Sequence, residues 1–187
     1  QMDSANLLQF DLAKLRHLET FYLKGIRASI SDLDEQFYKH ENLKRVFISL
    51  PCAEKFGASV VLPRYLPKNL HALYLSIPGL KGKLSERFFD QALSLDALAL
   101  LSTDLSGTIS DSISRLTRLS MLRVPYNERL QGSIPSGITA LTRLRRLDLG
   151  HTGLTGSVPP AFCSCLASCN CSGGLSITFA QNMTPCT

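Results

Sequence analysis

A solenoid with a parallel sheet along its concave face is the fold class this sequence predicts, and three observations predict it. One phrase recurs: SLDALALLSTDLSGTIS at 94–110, RLTRLSMLRVPYNERLQGSIP at 115–135 and ALTRLRRLDLGHTGLTGSVP at 140–159. Each copy reads Leu-x-x-Leu-x-Leu, then a polar step, then Leu-x-Gly-x-Ile/Val. Matching leucines fall at Leu70, Leu95, Leu119 and Leu144, and this near-constant spacing of roughly two dozen positions belongs to leucine-rich repeats. Leu-x-Leu places both leucines on one side of a strand. One such strand cannot bury that side alone, so neighbouring units stack to make the core. The predicted architecture is an α/β solenoid, a right-handed curved coil of about six repeats closed by a cysteine-rich C-terminal cap.

Taken in order, the first unit, HLETFYLKGIRASI, offers Leu18, Phe21, Leu23 and Ile30, and the second, NLKRVFISLP, offers Leu43, Val46 and Ile48. Both are irregular. The stretch from Cys52 to Lys68 is longer than a normal turn of the coil, and Pro51, Pro63 and Pro67 oppose continuous helix there. It reads as a bulging convex loop with a short helical piece. The third unit, NLHALYLSIPGLKGKLSERF, sets Leu70, Leu73, Leu75, Leu80, Gly82 and Leu84 in the regular slots, and the three recurring phrases follow. The chain thus divides into irregular repeats and an N-terminal cap (1–66), regular repeats (67–162) and a cysteine-rich cap (163–187).

The Leu-x-Gly-x-Ile-Pro ending resembles the repeats of plant receptor-kinase ectodomains and polygalacturonase-inhibiting proteins. The resemblance implies a second short strand in each unit and an asparagine ladder hydrogen-bonded to turn carbonyls. Here the ladder slot holds Pro78, Thr103, Asn127 and Thr152. A hydroxyl donates one hydrogen where an amide donates two, so threonine weakens the ladder without abolishing it. LDLGHTGLTGSVPPAF, with threonine in that slot, is also similar to the repeats of trypanosomatid promastigote surface antigens. Both families imply an extracellular, non-catalytic domain.

The 187 residues suit one domain, and 44% hydrophobic residues suffice for an elongated core. No apolar run is long enough to span a bilayer, so this segment makes no direct membrane insertion. QMDSANLLQFDLAKL lacks the basic region of a signal peptide, which reads as a mature or trimmed product with a membrane anchor or stalk outside it. Cys163, Cys165, Cys169, Cys171 and Cys186 crowd the end. The last repeat exposes an apolar face, and a disulfide-stapled cap would close it. The alternative is a zinc knot, although the Cys-x-Cys spacing differs from ordinary zinc knuckles. Cys52 lies about 20 Å from the cap at strand spacing, out of disulfide reach, and reads as a buried free thiol. Sequons at Asn170 and Asn182 sit in or beside the cap and favour an oxidising, cell-surface or secreted setting.

The residues between the paired core positions face outward from the concave wall: Tyr22, Phe47, Tyr74, Ala99, Arg123 and Asp148. Neighbouring columns add Lys24, Lys44, Arg45, His71, Ile77, Met121, Tyr126, Arg145, Arg146 and His151. The wall is therefore aromatic in front and basic behind. Tyr22, Phe47 and Tyr74 form either a binding stripe, since rigid rings bury much area at little entropic cost, or simple cross-strand packing. Seven arginines, Arg115, Arg118, Arg123, Arg129, Arg143, Arg145 and Arg146, cluster in units five and six of a chain whose net charge is +5. They suit an anionic glycan, an anionic membrane or an acidic protein, or they merely solvate the flank. Nucleic acid is disfavoured, because no binding module accompanies them.

Catalysis needs converging groups. His17, His40, His71 and His151 lie in different units, and no metal-binding helix, nucleophile elbow or phosphate loop occurs. The chain reads as no enzyme and needs no cofactor. Two functions remain: a surface module whose concave face recognises a protein or glycan ligand, and a structural or shielding coat without a single partner. A reduced intracellular scaffold is the third and would keep its thiols free.

Overall fold

The computed structural model describes residues 8–9, 14–25, 28–29, 40–50, 60–160, 162, 176–179, 181 and 183–184. In chain order the strands are β1 (Leu8–Gln9), β2 (Thr20–Lys24), β3 (Ala28–Ser29), β4 (Arg45–Ser49), β5 (Ala72–Ser76), β6 (Lys81–Gly82), β7 (Ala97–Leu100), β8 (Asp104–Leu105), β9 (Met121–Arg123), β10 (Asn127–Ser133), β11 (Arg146–Asp148), β12 (Thr152–Ser157), β13 (Ser176–Thr178) and β14 (Met183–Thr184). The chain is a leucine-rich-repeat solenoid. Strands β2, β4, β5, β7, β9, β11 and β13 lie side by side in that order as one parallel sheet. β1 precedes the sheet, and the other strands follow its strands as second strands, pairing in parallel as β1 with β3, β6 with β8, and β10 with β12 and β12 with β14.

The period-2 pattern explains the sheet. In β2, Phe21 and Leu23 point inward while Tyr22 is 65% exposed. Leu73, Leu98, Leu122 and Leu147 continue the inward column, each essentially inaccessible. Burying one leucine stabilises by about 2 kcal/mol. The Leu-x-Gly-x-Ile half of each repeat closes the other side with Leu105, Leu130 and Leu154. Behind the sheet run α1 (Glu86–Phe89), which buries Phe88 and Phe89, and two 3-10 turns at Asp111–Arg115 and Ser136–Ala140. Asp111 Oδ1 accepts from Gly137 N–H (2.9 Å) and Ser136 Oγ (3.1 Å), tying one turn to the next.

The recurring glycines have a conformational cause. Gly107, Gly132 and Gly156 adopt φ of +80°, +85° and +89°, a region closed to most side chains. The ladder is present where the repeats are regular. Asn127 is fully buried, donating from Nδ2 to the carbonyls of Leu100 (3.0 Å), Val124 (3.0 Å) and Pro125 (3.2 Å). Its Oδ1 accepts from Leu105 N–H and the Thr103 hydroxyl. Thr152 makes a single donation, to Leu149 O at 2.8 Å.

The structure differs from the sequence reading in three places. Ile77, expected on the outward face, is completely buried. Four of its counterparts, Gly25, Ser102, Tyr126 and His151, take left-handed backbone, but Ile77, like Leu50, precedes a proline, which restricts it to extended geometry and delays the left-handed residue of its unit to Gly79. The second difference lies between Cys52 and Lys68. Residues 60–68 contain no helix; Val60 and Leu62 are buried, and Val61 bridges Lys81 in parallel, so this stretch stands where a second strand of unit two belongs. Residues 51–59 lie outside the described part. Third, the sheet gains a seventh strand from the tail. β13 pairs Ile177 with Leu147, but the stretch of chain between them is longer than a regular unit, which breaks the period by which the other units are recognised. Among the described residues no helix is long and apolar enough to cross a membrane.

Candidate functional site

Strand register turns the alternation within each strand into columns across the wall. Tyr22 pairs with Phe47, Phe47 with Tyr74, Tyr74 with Ala99, Ala99 with Arg123, and Arg123 with Asp148, as the sequence reading placed them. The three rings form a stripe, with centroids 6.1 Å apart from Tyr22 to Phe47 and 6.2 Å from Phe47 to Tyr74. A shallow pocket of about 240 Å³ opens there, lined by Tyr22, Leu23, Lys24, Phe47, Ser49 and Tyr74. Ser49 was not singled out from sequence, although its place two residues beyond Phe47 on the same face is a period-2 consequence.

Behind the stripe the column changes character. Ala99 is buried between Tyr74 and Arg123. Arg123 is half-buried and gives Asp148 Oδ2 two hydrogen bonds, from Nη2 at 3.0 Å and Nε at 3.2 Å. The other Asp148 oxygen accepts from Gly150 N–H. Arg123 is therefore neutralised within the chain and is not an open anion receptor. Tyr126 and His151 stand in the turns just past the strands, on the rim of the wall. Both are exposed, and their rings stack in parallel at 4.5 Å. Left-handed backbone at such bulky residues is uncommon.

A second column, immediately before the strands, runs Glu19, Lys44, His71, Asp96, Ser120 and Arg145. Lys44 bonds Glu19 at 2.7 Å, and this bond and charge hold the Glu19 carboxyl below the ordinary carboxylate range. His71 Nδ1 lies 2.8 Å from Asp96 Oδ2, while Arg118 Nε reaches the other oxygen at 3.3 Å. The Ser120 hydroxyl is turned to the Asp96 backbone carbonyl at 2.9 Å, so it is engaged away from the His71–Asp96 pair. Arg145 and Arg146 are exposed in unit six, with Arg143 nearby on the same approach. Further back, Asn42 and Asn69 donate to Arg16 O and Glu41 O, each at 2.8 Å. This outer amide ladder escaped the sequence reading, though its signal is plain: Asn-Leu stands before both strands.

Among the described residues no group of three or more His, Cys, Asp or Glu side chains is gathered to hold a metal. Cys52, the five cap cysteines Cys163, Cys165, Cys169, Cys171 and Cys186, and the sequon residues Asn170 and Asn182 lie outside the described residues.

No protein-family model matches the chain, and comparison with curated proteins yields no match. Solved structures do match. The chain is similar to pollen receptor kinase 3, at 22% identity and a TM-score of 0.71, over 90% of this chain and 76% of that one. It is also similar to the leucine-rich-repeat ectodomain of the plant receptor kinase GASSHO1/SCHENGEN3 from Arabidopsis thaliana, solved in complex with Casparian strip integrity factor 2 (26% identity, TM-score 0.68, 92% of this chain). The third is the plant peptide hormone receptor RGFR1 in complex with RGF2 (27% identity, TM-score 0.60, 97% of this chain). The chain spans only 19% and 31% of those last two.

Proposed function

We propose that this chain is a non-catalytic recognition module, secreted or displayed at a cell surface, whose concave wall binds a protein or peptide. The observation that carries this reading is the aromatic stripe with its pocket. Tyr22 leaves 65% of its surface in solvent, although Phe21 and Leu23 on either side are buried. Exposed rings on a rigid sheet are strong anchors for a partner. Two of the similar structures are a receptor-kinase ectodomain in complex with Casparian strip integrity factor 2 and a peptide hormone receptor in complex with RGF2, which supports a proteinaceous ligand. The basic end extends the reading to an anionic glycan as an alternative ligand.

The cysteine cluster 163–171 with Cys186 serves, in this reading, as a disulfide cap beyond the last regular repeat, with Asn182 and Asn170 as glycan acceptors. The likeness of LDLGHTGLTGSVPPAF to promastigote surface antigen repeats supports surface placement, with an anchor outside this segment. The test is a pull-down from extracellular and cell-surface extracts with the full chain and with a Tyr22→Ala/Tyr74→Ala variant. The variant is expected to lose captured partner at least tenfold while its melting temperature changes little. Absence of any saturable partner would leave the shielding coat as the better account. Mass measurement before and after reduction tests the cap: thiols free throughout would return the chain to a reducing compartment.

A further inference from the structure

The arginines of the rear units are not equivalent. Four of them meet aspartates from adjacent units: Arg115 with Asp90, Arg118 with Asp96, Arg123 with Asp148, and Arg129 with Asp104. The pattern then fails in unit six. Arg118 finds its acid in the preceding unit at Asp96, but the position standing in the same relation to Arg143 is Ser120, which carries no charge. Arg146 has Met121 and Ser176 as its register neighbours on either side. The nearby carboxylate, Asp148, is taken by Arg123 and the Gly150 amide. Among the described residues no acidic side chain pairs with Arg143 or Arg146, and both are exposed. Uncompensated positive charge therefore collects at one end of a wall whose other end is aromatic.

The distance between the two ends is set by the sheet. From β5, which carries Tyr74, to β11, which carries Arg146, there are three strand steps, together about 14 Å. The outward residues between them at the strand starts are Ala97 and Met121, half-buried and uncharged, so a chain crossing the strands is not lifted off by a charged side chain in that row. An extended peptide covers about 14 Å in four residues.

We infer that the wall reads a linear peptide of fixed polarity, with an aromatic or aliphatic side chain over Tyr22, Phe47 and Tyr74 and an acidic residue four or five positions away at Arg143 and Arg146. This rests on the recognition role proposed above and deepens it. A peptide is favoured over a sulfated glycan because a sulfated glycan carries anionic groups at regular intervals, which would meet the uncharged row of Ala97 and Met121 between the two ends, whereas a peptide can place one acid at Arg143 and Arg146.

Selection of a displayed random linear dodecapeptide library on the full chain tests this, with enriched peptides then measured against two variants, Arg143→Glu/Arg146→Glu and Tyr22→Ala/Tyr74→Ala. All four positions have solvent-facing side chains, and circular dichroism confirms that each variant keeps its fold. The expected result is enrichment of peptides pairing an aromatic or aliphatic residue with Asp or Glu four or five positions apart. Each variant should weaken them at least tenfold, and affinity should fall as salt rises. Peptides that need Tyr22 and Tyr74 but bind the charge-reversed variant unchanged would overturn the polarity while leaving the aromatic wall as a binding face. Peptides indifferent to both variants, or no enrichment at all, would overturn both. A heparin-type oligosaccharide that binds through Arg143 and Arg146 and ignores the tyrosine variant would replace the peptide by a glycan.

Discussion

Units one to three and units four to six use the same scaffold to different ends. In front, Tyr22, Phe47 and Tyr74 fill the central outward column, and the residues that follow the second and third strands, Leu50 and Ile77, turn inward before prolines. Behind, the column passes to Ala99, Arg123 and Asp148, and the equivalent turn residues Ser102, Tyr126 and His151 face solvent on left-handed backbone. The rear turns are wired by a buried amide, and the rear surface is laced by arginine-aspartate pairs. Where cohesion comes from buried polar bonds, charge is consumed internally. In the front, the polar bonds between units, Lys44 to Glu19 and the Asn42 and Asn69 amides, lie on the exposed approach to the strands and leave the rings free for contact.

Asn127→Ala strikes the rear device most directly. It takes the acceptor from Leu105 N–H and the Thr103 hydroxyl and a donor from three carbonyls, of which Pro125 O keeps the Ser102 N–H, and a loss of about 3 kcal/mol is expected in urea unfolding. Asn69→Ala in the front removes one exposed bond and should cost less than about 1 kcal/mol. Equal losses would erase the distinction between the two halves. In front the sensitive point is steric. A Cβ at Gly82 would sit 2.5 Å from the Leu62 Cβ, so Gly82→Ala should destabilise by about 2 kcal/mol as the Val60–Leu62 segment is pushed off β6. Retained stability there would mean that segment is not part of the packed front.

Smaller effects sharpen the contrast. Ser102→Gly relieves a left-handed non-glycine residue and should raise stability by about 0.5 kcal/mol, read as a rise in melting temperature. Arg129→Ala removes a pair whose arginine side chain is 69% exposed. Its cost should stay within about 0.5 kcal/mol and vanish at high salt. The smallest is at Glu19, whose depressed carboxyl favours folding above its unfolded-state value and loses that contribution as pH falls through the folded one. Lys44→Met should return the Glu19 titration, followed by NMR, to the ordinary carboxylate range.

The repeat class, the sheet and the central column were legible in the sequence because period and alternation are local patterns that stacking preserves. Ile77 was misplaced because it holds the same repeat slot as the outward Tyr126 and His151, whereas the following Pro78 keeps it extended and the alternation of Leu73 and Leu75 carries it inward. The seventh strand escaped because its longer interval departs from the period, and Ile177 pairs with Leu147 only once the chain has folded back. The pairing of arginines with aspartates was also hidden, since partners a whole repeat apart along the chain meet only through stacking. Counting basic residues placed seven in one patch, and the fold sets apart Arg143 and Arg146, which meet no acidic side chain among the described residues.

Strand register also sets a length scale. Each unit advances the wall by one rung, so the gap between ring stripe and cationic end is measured in whole repeats. Excising or duplicating a single regular unit between them would shorten or lengthen that gap by about 4.8 Å without altering either terminus of the gauge. The solenoid thus works as a ruler, and ligand length is a trait that whole-unit gain or loss can change in discrete increments.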